Sequence, residues 1–493
     1  MILQLNHLPR KASGASAQEV IDTLQALLDE GHLEPEQLAA LRVHLDWIQY
    51  KHNFREPVTV VHGANERGEK LPFMELHLDV RQAAPASLRT EMIRAIGQAQ
   101  SGAHHDWPSH ADHQDSTGRL PLEDFHSFRS SIAWQFNRLY WQRLSDWERF
   151  TGKGYEEALP GGKSDANHPA AIANSVADFW TLLRDLETKK QLPAEIFALE
   201  IGVGMGTRAG MWLDRFRDLD RARGTSYYPR LRFLLGYYSP ATLERSRAAV
   251  QSHVDQCSFL VLDALNPLQT LSFLRHKVLH IHLANVYDNL PDEELAMRDG
   301  RLYLVEVRAY LPEADATAIS YEFDLPQETI RRCVERLLEA GPEHFADRQR
   351  GMGFWRQVWS AMRLEERMVC VDNLRAEALP PDLNPARLEE ILRETASELR
   401  FHLSTGAYES FRNTLPLLSP RGYLQVQDIF VTQMNEYRLG FHGPGKLDGS
   451  IVNWVNGALL REAAERAGYD VHFAPFRYRE GSKTSILYTT QRE

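Results

Sequence analysis

Residues 197–207, FALEIGVGMGT, carry the spacing in this chain that most suggests chemistry. Phe197, Ala198 and Leu199 run into Glu200, and Gly202, Gly204 and Gly206 follow at alternate positions. The pattern predicts a buried strand that ends on a carboxylate, then a tight turn into a helix over 207–217, opened by Thr207. Glycine has no Cβ, so the backbone can come close to a ligand, and the first amides of the helix would point toward it. This is a nucleotide-type site at the carboxyl end of a parallel strand. A dinucleotide loop places its third glycine three residues after the second. Here Thr207 holds that position and the third glycine comes earlier, at Gly206. Later apolar runs also close on polar residues: 259–262 on Asp263 and Ala264, and 278–283 on Asn285, Val286, Tyr287 and Asp288. His280 and His282 alternate onto one face of the second run, as core histidines or as a base; His442 in FHGPG is a weaker candidate base. His104, His105, His110 and His113, with Asp106 and Asp112, read either as metal ligands or as a polar loop, and no HExxH spacing orders them.

The elements that must position these residues can be read along the chain. Ser16 and Glu19 form a capping box ahead of a helix with Val20, Leu24, Leu27 and Leu28 on one face. A second helix is expected over 36–51, strands over 58–61 and 74–80, and another helix over 86–98. Trp134, Phe136, Tyr140, Trp141, Trp147 and Phe150 cluster on a helical stretch as a core stripe. A Gly/Pro-rich loop from Gly152 leads to a helix over 169–187; it reads equally as a lid or a connector. Apolar strands follow at 231–235, 259–262 and 278–283, with Ser239-Pro240 starting a helix. A helix over 326–340 and the aromatics Phe354, Trp355 and Trp359 mark a long insertion. A strand to Asp428, a helix over 453–468 and strands at 471–478 and 484–489 close the chain.

The chain has 493 residues, 43% hydrophobic and 25% charged, which suits two or three lobes with sizeable cores. A net charge of −11 argues against duplex nucleic acid as the main partner. Three widely spaced cysteines fit a reducing compartment, and no run approaches the roughly 20 apolar residues of a membrane span. A cytoplasmic enzyme is expected, with no membrane partner and with a homodimer left open.

The spacing Glu-x-Gly-x-Gly-x-Gly resembles motif I of class I S-adenosylmethionine (SAM) methyltransferases. With YYSPATLERSR and ANVYDNLP, the chain resembles the MidA family, which includes a complex I assembly factor acting on an arginine side chain. The likeness covers 155–478, interrupted near 310–400. It implies an α/β fold: a Rossmann-like seven-stranded methyltransferase sheet with an antiparallel last strand. An N-terminal α+β lobe (1–150) precedes it, and a helical insertion or substrate lid (310–400) separates the two core segments, 151–309 and 401–493. The resemblance implies SAM as cofactor and S-adenosylhomocysteine as product, held by Glu200, Gly202, Gly204, Gly206, Thr207, Tyr237, Asp263, Ala264 and Asn285. Asp288, His282 and Tyr287 are the catalytic candidates, with no metal. The expected acceptor is a small molecule, through oxygen or nitrogen; a protein acceptor or a SAM-binding role without turnover are the alternatives. Two departures stand out. Tyr237 and Tyr238 replace the family's acid before Ser-Pro, and Val286 replaces its Asn-Glu glutamate, which weakens the case for arginine.

Overall fold

The apolar runs that end on polar residues become neighbouring strands of one sheet in the computed structural model. It describes residues 1–6, 15–46, 52–65, 70–101, 118–159, 162–371, 379, 383, 385–395, 398–441 and 443–492. The histidine-rich segment 104–113 and His442 lie outside the described residues. The strands are β1 (Ile196–Ile201), β2 (Leu231–Tyr237), β3 (Cys257–Val261), β4 (Val278–Ala284), β5 (Leu418–Asp428), β6 (Tyr469–Pro475) and β7 (Ser485–Gln491). Their spatial order is β3-β2-β1-β4-β5-β7-β6. The first five pair in parallel, and β7 runs antiparallel to both β5 and β6.

Parallel strands covered on both faces must be apolar throughout, and β4, VLHIHLA, is buried at every position but its last. On one face, α1 (Pro169–Thr188) and α2 (Thr207–Ala222) contribute Val176, Phe179, Trp212 and Phe216 to the core. Trp212 stacks on Phe233 of β2 at 5.2 Å between ring centres. On the other face, α4 (Thr405–Thr414) and α5 (Gly457–Arg466) bring Phe411 and Leu460 against Ile281, Leu424 and Leu487. The helix between β2 and β3, α3 (Pro240–Ala249), is capped by Ser239, whose Oγ accepts the Thr242 N–H.

The chain divides into two compact units. Residues 140–290, 404–433 and 454–493 form the unit just described. Residues 1–139, 291–403 and 434–453 form the other. Eight strands of its ten-stranded sheet follow the path Ile2–Asn6, Leu41–Asp46, Lys70–Asp79, Val58–Ala64, Arg363–Cys370, Arg301–Pro312, Glu294–Arg298 and Leu399–His402, and the short strands Arg119–Pro121 and His126–Ser127 both pair with Arg301–Pro312. The N-terminal helix Ala17–Asp29 starts with the capping box read from Ser16 and Glu19.

Two expectations change here. The helix expected over 36–51 ends at Ala40, and Leu41–Asp46 is a strand. Leu38, Leu41 and Leu45 fit a helical face, yet Leu41, Val43 and Leu45 alternate equally well, and pairing on both sides decides for the strand. Residues 310–400 are not a separate helical insertion. They complete the sheet begun by the N-terminal strands, and Phe354, Trp355 and Trp359 are core, with Trp359 packed on Phe54 and Phe136. Among the described residues, no helix is long and apolar enough to cross a membrane.

Candidate cofactor and acceptor site

Three glycines shape the turn after β1, for two different reasons. Gly202, Gly204 and Gly206 take φ of 83°, 55° and 79°, the left-handed region where a side chain is strained. A Cβ on Gly202 would stand 2.5 Å from Val286 Cγ2, and one on Gly206 2.9 Å from the Ser246 carbonyl oxygen. A Cβ on Gly204 would meet nothing nearer than the Gly202 oxygen at 4.0 Å. The fold itself therefore requires Gly202 and Gly206, whereas Gly204 borders open space. The N–H groups of Gly202 and Val203 donate to the Gly236 oxygen at 2.9 and 3.2 Å, fastening the turn to β2. Thr207 then opens α2.

Glu200 does not offer a free carboxylate to a ligand. It is buried, and Arg208 Nη1, from the first turn of α2, donates to its Oε2 at 2.7 Å. Burial raises the Glu200 pKa, and Arg208 opposes that rise. Glu200 is thus already paired with Arg208. The charge is compensated inside the fold, and the ion pair fixes α2 to the end of β1.

The other strand ends contribute in turn. Tyr237 ends β2; burial pushes its phenol well above the usual range, with the Glu148 carboxylate adding to the effect. Asp263, exposed just beyond β3, accepts the Leu265 N–H at 2.9 Å, with half-buried Ala264 between them. Asn285, after β4, has φ 52°, a conformation asparagine tolerates better than most residues. Its N–H donates to the Gln427 oxygen at 3.0 Å and its Nδ2 to Ser164 Oγ at 3.2 Å.

Asp288 faces an acid that sequence reasoning left outside the site, Asp428 at the end of β5. Asp428 Oδ2 accepts the N–H groups of Tyr287 and Asp288 at 2.9 and 3.3 Å, and its Oδ1 accepts that of Ile429 at 2.8 Å. Asp288 Oδ1 accepts Asn289 Nδ2 at 2.6 Å. Burial, then the facing Asp428, pushes Asp288 well above the carboxylate range. Burial lifts Asp428 to about 7, against the pull of its backbone donors. Two close buried carboxylates do not both ionise, so the pair shares a proton. Asp428 is the ionised member because its partners are N–H donors.

The other two catalytic candidates are, like Asp288, buried. Tyr287 is 2% exposed and sits in the core with Phe411 and Leu460. His282 is fully buried, and neither ring nitrogen has a hydrogen-bond partner. Burial first, then Arg208 and His280, holds it far below the usual histidine value. Neither presents a surface to an acceptor.

The loop before α1 is tied down over the strand ends. Asp165 Oδ2 accepts Ser482 Oγ at 2.5 Å and Thr484 Oγ1 at 2.9 Å, and Oδ1 pairs with Arg479 at 2.8 Å. Those partners lie between β6 and β7. Tyr155, in the short helix Tyr155–Ala158, also belongs to this region. Burial, then the charges of Asp288, Tyr237 and Asp428, raises its phenol pKa. The aromatic run and the loop signalled these residues in the sequence, but only the fold gives them neighbours.

No family model matches the chain, and no curated protein does. In structure it is similar to a superfamily member from Burkholderia thailandensis bound to S-adenosyl-homocysteine. That match has 12% identity over 74% of this chain and 88% of the other, with a TM-score of 0.44. A second structure, the native form of an uncharacterized superfamily protein from the same organism, matches at 12% identity over 74% of this chain and 87% of the other, with a TM-score of 0.42. The CcbJ methyltransferase from Streptomyces caelestis matches at 11% identity over 73% and 99%, with a TM-score of 0.32.

Proposed function

We propose that this chain is a SAM-dependent methyltransferase acting on an oxygen or nitrogen of a small-molecule acceptor. The observation that carries this reading is the sheet order with its reversed β7, combined with the open space bordering Gly204 at the end of β1. A dinucleotide sheet has a parallel sixth strand in that place; an antiparallel strand inserted before the edge belongs to class I methyltransferases. The residues present fit the cofactor at Gly204, whose positive φ favours glycine and which alone of the three glycines borders open space, where a ligand could lie against the backbone.

SAM, when bound, supplies a methyl carbon on a positively charged sulfur, ready for in-line displacement. The turn Gly202–Gly206 and the amides opening α2 at Thr207 would hold its amino-acid end. Tyr237 would offer the ribose a single phenolic handle where an acid would accept two hydrogen bonds. Asp263 and Ala264 would border the adenine, and Asn285 would line the approach to Asp288. Most of the acceleration would come from holding acceptor and methyl in line. The pair of Asp288 and Asp428, in which one carboxylate is ionised, is the group that would take a proton from the acceptor.

Calorimetry with SAM and S-adenosylhomocysteine tests the reading. If neither binds at millimolar concentration, the proposal fails. Binding without any transfer of labelled methyl would favour a SAM-binding assembly role, for which the tyrosine at position 237 is the motivating feature. Label appearing on protein in a lysate would favour a MidA-type protein methyltransferase instead.

A further inference from the structure

The unit without the glycine turn carries a buried cluster of metal-ligating side chains. Leu41–Asp46 and Lys70–Asp79 pair in parallel with His44 beside His77 and Arg42 beside Glu75. Strand side chains alternate, so Glu75 and His77, two residues apart, share a face with His44. The two imidazoles stack at 4.4 Å with their planes 6° apart. Glu75 is 0% exposed and each histidine 5%. Glu75 Oε2 stands 3.0 Å from His77 Nε2 and 3.4 Å from His44 Nε2. His44 Nε2 is not aligned to hydrogen-bond there and has no other partner.

We propose that His44 Nε2, His77 Nε2 and a Glu75 oxygen bind one divalent transition-metal ion of the zinc type. Zinc bonds of about 2.0–2.2 Å in tetrahedral geometry place neighbouring ligand atoms roughly 3.3 Å apart. Two of the three separations, 3.0 and 3.4 Å, bracket that edge, all three donor atoms lie within 4.8 Å of one another, and on binding the stacked rings would turn out of parallel so that both Nε2 lone pairs meet the ion. Among the described residues, no other group of three such donors is so arranged.

The surroundings act as an orienting shell. Asp46 Oδ2 stands 2.9 Å from His77 Nδ1, which fixes the proton on Nδ1 and turns Nε2 toward Glu75. This is the carboxylate–histidine–metal arrangement. Arg298 Nε donates to Glu75 Oε1 at 2.5 Å and its Nη2 only at 3.4 Å to Oε2, so Oε2 is the more weakly held oxygen and the ligand atom. Binding would displace the proton between His77 Nε2 and Glu75 and release it to solvent. A metal-free network also satisfies Glu75, through Arg298 and His77. It leaves His44 Nε2 with only a misaligned 3.4 Å approach to Glu75 Oε2, in a site where a poorly paired buried polar atom is costly. A metal ion gives that atom its partner.

The test uses the full chain, stripped with a chelator and titrated with Zn2+ by calorimetry and with Co2+ by visible absorption. One ion per chain and tetrahedral cobalt bands are expected. His44→Gln should weaken binding at least 100-fold, and Asp46→Asn about 10–100-fold. Replacing His104, His105, His110 and His113 together by alanine should leave the site intact. His44→Gln removes only a poorly paired nitrogen, so it should keep the wild-type circular dichroism and melting transition. No binding at about 100 μM Zn2+, or unchanged affinity in folded His44→Gln, overturns the proposal.

Discussion

Gly204→Asn separates a glycine kept for a ligand from glycines kept for the fold. At position 204 a new Cβ has no neighbour nearer than 4.0 Å, and asparagine tolerates the φ of 55°. The backbone cost is therefore about 1 kcal/mol or less, a fall in Tm of roughly 2–4 °C for a unit of this size. At position 206 the same reasoning gives the opposite result. An alanine there adds positive-φ strain of about 1–2 kcal/mol and a Cβ 2.9 Å from a backbone oxygen that cannot swing away. Overpacking of that kind costs about 1–3 kcal/mol, so Gly206→Ala should lower Tm by roughly 5–15 °C. Binding should reverse the ranking. Filling the cradle at Gly204 should weaken S-adenosylhomocysteine at least 100-fold, about 2.8 kcal/mol. Paired melting curves and calorimetry read both quantities. Wild-type affinity in Gly204→Asn, or a loss of Tm as large as that of Gly206→Ala, would refute the assignment of that space to the cofactor.

Arg208→Met should destabilise the chain by about 3–5 kcal/mol, because it leaves the Glu200 carboxylate buried without compensation; Glu200→Gln in the same chain should restore most of the loss, measured by urea denaturation. Asp428 should make stability fall as pH rises. Its folded pKa of about 7 lies above the ordinary 3.8, so its contribution is complete below about 4 and is lost as pH climbs through 7. Asp428→Asn removes the titrating group itself and should flatten that slope, seen in melting curves from pH 5 to 9. Asp165→Ala unfastens the loop from Ser482, Thr484 and Arg479. It should weaken S-adenosylhomocysteine about tenfold while lowering stability by about 1 kcal/mol, since pre-organisation of the cover is what it removes. An unchanged Kd would show that the loop takes no part in binding.

Local chemistry made the glycine turn legible, because alternate glycines after an apolar run announce a strand end and a close backbone approach. The same held for Asp263, Asn285 and Asp288, each at the end of an apolar run. Asp428 was seen as the end of a strand but not as the partner of Asp288. The two are 140 residues apart, and only the β4–β5 pairing brings them together. Glu200 misled for a related reason. A carboxylate ending a strand looks available until Arg208, eight residues on, is wound back over it by the first turn of α2. The interleaving of the two units was hidden more completely. The strands at 294–312 and 363–370 alternate as any strands do, and nothing local says which sheet they will join. His44 and His77 fall in strands whose polar residues point inward, and a pattern reading assigns such residues to solvent.

The shared proton of Asp288 and Asp428 constrains the acceptor under the proposed function. Asp428 is held near 7, so moving a proton to the pair costs about 1.4 kcal/mol for each unit by which the acceptor's pKa exceeds that value. For a phenol near 10 the cost is about 4 kcal/mol. For an aliphatic alcohol, close to water at about 16, it is about 12 kcal/mol, which cancels even the largest gain of about 7–11 kcal/mol available from orientation. If the proton leaves before the methyl arrives, phenolic oxygens and amines are therefore served better by this pair than aliphatic hydroxyls. With SAM saturating, the rate on a phenolic acceptor should rise with pH and level off above about 7, following Asp428. Asp428→Asn, which removes the ionised member, should lower the plateau by about 10²–10⁴-fold and remove the inflection. Equal rates on alcohols and phenols, or an unchanged pH profile in Asp428→Asn, would place the proton acceptor elsewhere.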